Sequence, residues 1–363
     1  MLSAEQIATT LGYEFLRDGR FSNSTGPVEV PPVMQAAAGA AGGGADVRHE
    51  LEAFGGLAVQ AVGYEEGVDN PAVHIYLARG SSKLIRSLPS EISGVRVNTQ
   101  KMGPINVRPE STAASTNQGY IFERNGRVCC GSSCAPTSEN LVGTVGALVT
   151  LNGSSDLFIL SNNHVFGGCN HVPRGQPILS PGSGDGRPNV RAPGEIGRHE
   201  LIEELRTGNP NFVTPMKNDL ALARATDTSA ISSWQGDDKD GYDTPSQSVV
   251  PKTFMKVKKF GRTTALTFGT VRAKVNVPTP ITYNAKHFKG VVWFKDVWTV
   301  RSLSGSPFAL PGDSGSLVVT DDGANAVGVL FAASPNGEYG WIIPMSDVLA
   351  TFGGLQLLTG HGI

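Results

Sequence analysis

The sequence predicts a mainly β protein in which short strands are joined by turns. Glycine accounts for 45 and proline for 23 of the 363 residues, while only 17% of the residues are charged. Such a composition suits many short strands and turns better than long helices. Apolar runs bounded by turn residues recur along the C-terminal half, at residues 257–260, 269–277, 291–300, 316–320 and 327–332.

The first 46 residues predict a flexible N-terminal segment. Residues 7–16 have the spacing of a short amphipathic helix, and residues 36–44 are an Ala- and Gly-rich tract. The tract can bury little apolar area, so we expect it to be mobile, or packed only by contact with another surface, within this flexible segment.

Residues 47–117 predict a small α/β unit. Strands are expected at 56–64, 72–78 and 95–98, and a helix over 81–93 begins at serines that can cap its first amides. Three strands and about 70 residues make a marginal core alone. We therefore expect this unit to pack on residues 118–363 or on a neighbouring subunit.

Charge and hydropathy exclude some partners. The formal net charge is −2, so nothing suggests attraction to nucleic acid or to a membrane surface. The sequence contains no run of eighteen apolar residues, so it predicts no membrane span. The N-terminus lacks the basic start and apolar core of a secretion signal, so we expect a cytoplasmic protein.

Four cysteines are present, Cys129, Cys130, Cys134 and Cys169. Three of them fall within six positions, which matches no disulfide framework, and a reducing cytoplasm favours free thiols. A zinc site stays an alternative because His171 lies close to Cys169, although the spacing departs from the paired zinc-ligand pattern. We expect no metal.

One glycine-flanked turn has the features of a nucleophile. Gly312, Ser314 and Gly315 lie in a turn that leads into an apolar strand. The glycines permit backbone angles that a Cβ would forbid, and the amides of Gly312 and Ser314 could converge beside the hydroxyl as an oxyanion hole. The alternative is an ordinary β-hairpin turn, because Gly, Asp and Ser favour turns.

A serine nucleophile needs a base, and the base needs an orienting carboxylate. His164 follows an apolar strand at 158–160, and Asp219 precedes an alternating strand at 220–223. Each residue alone has a structural explanation, as a packed histidine or a turn aspartate. His164, Asp219 and Ser314 together predict a catalytic triad.

The three segments that carry these residues, 160–166, 218–223 and 311–319, resemble the trypsin/chymotrypsin-like serine peptidases. The likeness covers roughly residues 118–350, and the chain order His, Asp, Ser is that of the chymotrypsin class.

A second set of segments narrows the resemblance. Residues 259–264, followed by Gly-Thr-Val at 269–271, are similar to the intracellular trypsin-like group that contains the plant narrow-leaf protease and its bacterial relatives. The segment 161–164 is also similar to that group.

The resemblance implies a chymotrypsin-like fold of two antiparallel β-barrels, at about 120–226 and 252–343, preceded by the small α/β unit. Residues 227–248 would be the polar linker between the barrels. By the same resemblance His164 is the general base, Asp219 its orienting carboxylate and Ser314 the nucleophile. The implied protein is a serine endopeptidase that acts on a protein or peptide substrate and needs no cofactor.

The family also suggests where the substrate side chain binds. The position six before the serine is Phe308, expected at the base of the pocket, and Leu330, Phe331 and Ala332 are expected in its wall. No acid is among them, so we expect cleavage after an uncharged, small-to-medium apolar residue and not after Lys or Arg.

Activation departs from the secreted members of the family. In those, a freshly cut N-terminus pairs with the aspartate before the serine, here Asp313. Residues 141–144 lack the basic cleavage residue that this requires. We therefore expect Asp313 to have another partner, and the site to be constitutive or controlled by assembly.

Two other functions stay open from the sequence. Some relatives of this fold have lost activity, so a catalytically silent binding or sensor module is the alternative to a peptidase, and a general esterase is a third possibility. Because plant relatives with the 261–264 segment form oligomers, a homo-oligomer is expected by resemblance.

Overall fold

The structure is a computed structural model. It describes residues 2–22, 53–54, 56–65, 67, 71–107, 110–111, 120–139, 141–186 and 192–363. The Ala- and Gly-rich tract at 36–44, and most of the segment expected to be flexible, lie outside the described residues.

The described residues of the N-terminal part form two helices and six strands. They are α1 (Ala4–Arg17), β1 (Val59–Glu65), β2 (Ala72–Leu77), α2 (Ser82–Ser87), β3 (Glu91–Ile92), β4 (Val95–Lys101), β5 (Asn106–Val107) and β6 (Glu110–Ser111). A capping box starts α1, in which the Ser3 hydroxyl accepts from the Gln6 amide and the Gln6 side chain accepts from the Ser3 amide.

The helix expected over 81–93 is shorter than predicted. It ends at Ser87, and the strand β3 begins at Glu91, within the range that was predicted to be helical. Leu88 precedes Pro89, and a residue before proline is disfavoured in the helical region, which ends α2 at this point.

The first barrel is a curved, open sheet. The strands of this region are β7 (Glu123–Arg124), β8 (Arg127–Cys130), β9 (Ser133–Pro136), β10 (Leu141–Thr144), β11 (Ala147–Leu151), β12 (Leu157–Ser161), β13 (Pro177–Ser180), β14 (Gly194–Ile202) and β15 (Ala221–Ala225). Of these, β7 and β8 belong to a separate small sheet. The central order β11-β12-β15-β14-β13-β9-β10 is antiparallel throughout, and β6 extends it at one edge. Since β10 and β11 do not pair, this is a half-barrel.

The segment 227–248 is more structured than a polar linker. It contains a 3-10 turn at Thr228–Ala230 and the strands β16 (Ile231–Gln235) and β17 (Tyr242–Asp243). β16 pairs in parallel with β8 and antiparallel with β17. The segment therefore crosses between the barrels as part of a small sheet.

The second barrel is closed. Its region contains β18 (Lys256–Gly261), β19 (Ala265–Val275), β20 (Thr279–Asn284), β21 (Lys289–Phe294), β22 (Val297–Ser302), β23 (Leu317–Thr320), β24 (Ala326–Ala333) and β25 (Tyr339–Pro344). Six strands follow the order β18-β23-β24-β25-β22-β19, and a β18–β19 pairing closes the ring. The chymotrypsin-like, mainly β fold expected from the sequence is confirmed.

The chain ends beside the first barrel. After β25 come α3 (Met345–Leu349), a 3-10 turn (Thr351–Gly353) and β26 (Leu355–Leu357). The helix expected at 346–352 is thus present, but the last part of it is the 3-10 turn. β26 pairs with β11, and so ties the end of the chain to the half-barrel.

The N-terminal unit packs on the second barrel, as expected. β1 pairs with β19 at Tyr64 and Lys274, and β2, β4 and β3 continue the same sheet. The helix α1 packs in one core cluster with β1 and β2 of this extension, and a Cβ added at Gly12 would lie 2.5 Å from a methyl group of Val277, which follows β19. No described helix is long and apolar enough to cross a membrane.

Candidate active site

A buried histidine–aspartate pair lies at one end of the half-barrel. Nδ1 of His164 is 2.5 Å from Oδ2 of Asp219, and the backbone amide of His164 donates to Oδ1 of the same carboxylate at 3.1 Å. Exposure is 3% for His164 and 0% for Asp219. Two hydrogen bonds to one carboxylate hold the imidazole in a single orientation.

Neighbouring strands bring these two residues together. β12 and β15 are antiparallel with Ser161 opposite Ala221, so the chain leaving β12 meets the chain entering β15. His164 lies three residues beyond β12, in a single π-helical turn at Asn163–Gly167. The side chain of Asn162 donates to the Asp219 carbonyl at 2.6 Å, which fixes the two chain segments against each other.

Tyr283 of β20 completes the environment of the aspartate. Its hydroxyl donates to Oδ2 of Asp219 at 2.8 Å, and its ring meets the His164 ring edge-on with the centroids 6.0 Å apart. Burial, and next the negative charge of Asp219, raise the pKa of Tyr283 well above its ordinary value, so the hydroxyl keeps its proton and donates. No local pattern in the sequence indicates a role for this residue.

Ser314 lies in the predicted glycine-flanked turn, which the structure places where the two barrels meet. Its carbonyl accepts from the Thr144 amide at 2.9 Å, and a Cβ added at Gly315 would lie 2.3 Å from the hydroxyl oxygen of Ser161. The turn therefore packs directly on the half-barrel, at the strand that leads to His164. Among the described residues the Ser314 hydroxyl donates to the Phe331 carbonyl at 3.5 Å, and it makes no hydrogen bond with His164.

The amides in this turn fall into two groups. Those of Asp313 and Gly315 donate to the carbonyls of Leu310 and Leu330 at 3.0 and 2.9 Å. The amides of Gly312 and Ser314 donate to no described residue. They are the two that the sequence predicts for an oxyanion hole, and they are available for a ligand.

The peptide bonds on both sides of Gly312 are each fixed by a side chain. The Thr263 hydroxyl donates to the Pro311 carbonyl at 2.6 Å, and the Thr144 hydroxyl donates to the Gly312 carbonyl at 2.8 Å. Gly312 has a φ of +96°, which favours glycine, and a Cβ there would lie 2.4 Å from the Thr263 hydroxyl oxygen. The Gly312 amide is thereby held in one direction.

Asp313 has partners within the chain, in line with the expectation that its partner is not a cut N-terminus. Its carboxylate accepts from the amides of Thr263 and Thr264 at 2.8 and 3.1 Å, and from the Thr264 hydroxyl at 2.8 Å. The ammonium of Lys259 lies 3.5 Å away, and both charged side chains are fully buried. Burial lowers the pKa of Lys259, while Asp313 opposes that shift. The serine turn is thus fastened by the chain's own 259–264 segment.

A cavity of about 300 Å³ opens beside Ser314. Leu330, Phe331 and Ala332 line it. Phe308 does not: its side chain is fully buried, and its ring fills space left by Gly269 and Gly340, where an added Cβ would lie 2.7–2.9 Å from the ring. The other lining residues are Pro104, Asn106, Val107, Leu310, Pro311, Ala333, Ser334 and Pro335, so none of the described side chains that line this cavity is charged.

All four cysteines are free and buried. Burial is the largest cause of a raised thiol pKa at each of them, and the pKa of Cys129 rises to about 12. Among the described residues no group of three or more His, Cys, Asp or Glu side chains is arranged to hold a metal ion.

Comparisons with known proteins found similar solved structures alone. No family model and no curated protein matches the sequence. The chain is similar in structure to Thermobifida fusca protease A (18% identity, 64% of this chain and 98% of that one, TM-score 0.43). It is also similar to Nocardiopsis protease (19%, 63% and 97%, 0.43) and Cellulomonas bogoriensis chymotrypsin (17%, 64% and 98%, 0.41). At such values a function has to be inferred from the site residues.

Proposed function

We propose that the protein is a serine endopeptidase that cleaves peptide bonds through an acyl-enzyme. One arrangement carries the proposal. The buried His164–Asp219 pair and Ser314 lie on adjoining segments, and two amides within the serine turn donate to no described residue. An ordinary hairpin turn needs neither a histidine–carboxylate pair nor free amides. The resemblance to the intracellular, plant-type group remains part of the proposal.

The mechanism follows from the hydrogen bonds. Donation from Nδ1 to Asp219 leaves Nε2 of His164 with the lone pair, so Nε2 removes the Ser314 proton as the hydroxyl attacks the carbonyl. The amides of Gly312 and Ser314 bind the oxyanion. His164 then protonates the leaving amine, and water releases the acyl group in a second, equivalent cycle. The Ser314–His164 hydrogen bond would form on substrate binding, since such contacts are often incomplete in free enzymes.

The apolar cavity supports cleavage after an uncharged, small-to-medium apolar residue. None of the described residues in the cavity wall is an acid that could pair with Lys or Arg. Profiling with mixed peptides should therefore return an apolar residue before the cut, and a dominant Lys or Arg would contradict this part of the proposal.

One observation favours the second candidate, a catalytically silent binding or sensor module. The Ser314 hydroxyl donates to the Phe331 carbonyl and not to His164. A serine held in that way would not be activated, and the cavity would only bind a peptide. The two candidates differ in whether Ser314 reacts.

Active-site labelling separates them. A fluorophosphonate probe should modify the wild-type protein at Ser314, as located by mass spectrometry, and should not modify Ser314→Ala. Peptide hydrolysis should fall by several orders of magnitude in Ser314→Ala and in His164→Ala, without the losses adding in the double variant. Absence of labelling in a folded wild-type protein would favour the silent module, and equal turnover in Ser314→Ala would refute the assignment. A cytoplasmic location and control through a homo-oligomer stay predictions.

A further inference from the structure

The N-terminal unit contributes one side of the cavity beside Ser314. Leu310, Pro311 and Ser314 come from the serine turn and residues 330–335 from β24 and the loop after it, but Pro104, Asn106 and Val107 come from the unit that precedes both barrels. Nothing in the sequence of these three residues indicates a role in substrate binding.

Backbone hydrogen bonds hold this wall in place. The amides of Met102 and Gly103 donate to the Leu77 carbonyl at 2.9 and 3.1 Å, and the Ile105 carbonyl accepts from the Thr282 amide at 3.2 Å. β5 also pairs in parallel with β20, with Asn106 opposite Thr282. The wall is therefore part of the same sheet that carries Tyr283.

A buried glutamine fastens the segment further. The Gln60 side chain accepts from the Ile105 amide at 3.0 Å and donates to the Pro280 carbonyl at 2.9 Å, and it is fully buried. Ile105 has 0% exposure and Val107 has 4%, in the same core cluster as Phe331. A wall fixed on both sides can discriminate between ligands by size.

Asn106 is the polar group that this wall presents to the cavity. Among the described residues its side chain makes one long hydrogen bond, 3.4 Å to the Pro104 carbonyl. Ser334 is the other polar side chain of the lining outside the serine turn. Its hydroxyl donates to the Asn336 side chain and accepts from the Tyr339 amide. Asn106 thus has capacity left to bind an uncharged polar group of a ligand.

We propose that Pro104, Asn106 and Val107 form a specificity wall, through which the N-terminal unit selects the size of the uncharged substrate side chain bound beside Ser314. This inference rests on the proposed function, because it names the substrate class of the same cavity. The wall lies outside both barrels, so the N-terminal unit would set selectivity without supplying a catalytic group.

The test narrows the cavity in the full-length protein. Asn106→Phe should lower kcat/KM for a peptide with Leu or Phe before the cut relative to the matched Ala peptide, and we expect the ratio of the two constants to change by about tenfold or more. Asn284→Phe is the matched control, since Asn284 is exposed at the end of β20 and does not line the cavity. It should leave the ratio at its wild-type value.

Two further measurements keep the outcomes apart. Fluorophosphonate labelling of each variant reports whether Ser314 reacts, and binding of the Ala and Phe peptides is measured calorimetrically in a Ser314→Ala background. If the wild-type protein never labels, the peptidase proposal fails, yet a changed binding ratio in Asn106→Phe still supports the wall. An unchanged ratio in hydrolysis and in binding, with the variant folded, overturns the specificity wall and leaves the peptidase proposal standing.

Discussion

The hydroxyl of Tyr283 donates to Oδ2 of Asp219, the carboxylate oxygen that also lies 2.5 Å from Nδ1 of His164. Tyr283 belongs to β20 in the second-barrel region, whereas Asp219 and His164 belong to the half-barrel. The carboxylate of the proposed triad is therefore held from both halves of the molecule, and its position depends on their packing.

Removing that hydroxyl should weaken catalysis. We expect Tyr283→Phe to reduce kcat/KM by roughly 10- to 150-fold, because a hydrogen bond to a charged group contributes about 1.5–3 kcal/mol. Tyr242→Phe is the control, since the Tyr242 hydroxyl is buried without a hydrogen-bond partner among the described residues. Steady-state kinetics with peptide substrates would measure both variants. Equal losses in the two would show that Tyr283 acts only through packing.

The buried Lys259–Asp313 pair should be needed for stability. Lys259→Met leaves Asp313 buried without its cation, and breaking a buried pair in this way costs about 3–5 kcal/mol. Urea unfolding should show that loss, and labelling of Ser314 should slow because the serine turn is less well held. Lys256→Met, an exposed position on the same strand, should change stability little. Adding Asp313→Asn to Lys259→Met should recover part of the loss, and no recovery would argue against the pair.

The Thr263 hydroxyl should hold the Gly312 amide in place in the proposed oxyanion hole. Thr263→Val removes the donor to the Pro311 carbonyl, so the peptide that presents the Gly312 amide is free to turn. We expect kcat to fall by about fivefold at least, approaching the 10²–10³ of losing one oxyanion donor if the amide turns away. Thr263→Ser should restore activity. Thr267→Val removes a similar hydroxyl bond, 2.8 Å to the Phe308 carbonyl, and should leave kcat near the wild-type value.

The sequence predicted the proposed triad because each member lies next to a strand in a local pattern. His164 follows β12, Asp219 precedes β15 and Ser314 precedes β23, so short-range signals sufficed. Tyr283 has no such signal: it is one of several alternating residues in β20, and its partner Asp219 is 64 positions away.

The lining of the cavity beside Ser314 was predictable only in part, for the same reason. Leu330, Phe331 and Ala332 lie on β24, the second strand after the serine turn, and their place was expected from the family resemblance. Asn106 reaches the cavity through the pairing of a two-residue strand with β20, which no local pattern reveals. Phe308 was placed by counting back from the serine, but an apolar ring beside two glycines packs into the core instead.

The cysteines should react slowly in the native state. Alkylation requires the thiolate, and burial raises the pKa of all four thiols, that of Cys129 to about 12. At pH 8 we expect little reaction with iodoacetamide until guanidinium chloride unfolds the chain, after which four thiols should react. Rapid native labelling would contradict the burial, and fewer than four reactive thiols after unfolding without reductant would reveal a disulfide.

The N-terminal unit should be indispensable for folding of the remaining chain. Ile105 and Val107 lie in one core cluster with Phe331, and β1 covers part of the edge of β19. Loss of a single buried aliphatic side chain costs about 2–5 kcal/mol, against a total stability of about 5–15 kcal/mol for a typical domain. A chain of residues 118–363 would lose several such side chains, so we expect it to be aggregated or to lack a cooperative thermal transition. Full-length Ile105→Ala is the graded control and should lose about 2–5 kcal/mol while remaining folded. Light scattering and near-UV circular dichroism would compare the three proteins. If the truncated chain were monodisperse, melted with the full-length protein and labelled at Ser314 equally fast, the unit would be an independent module and the prediction would fail.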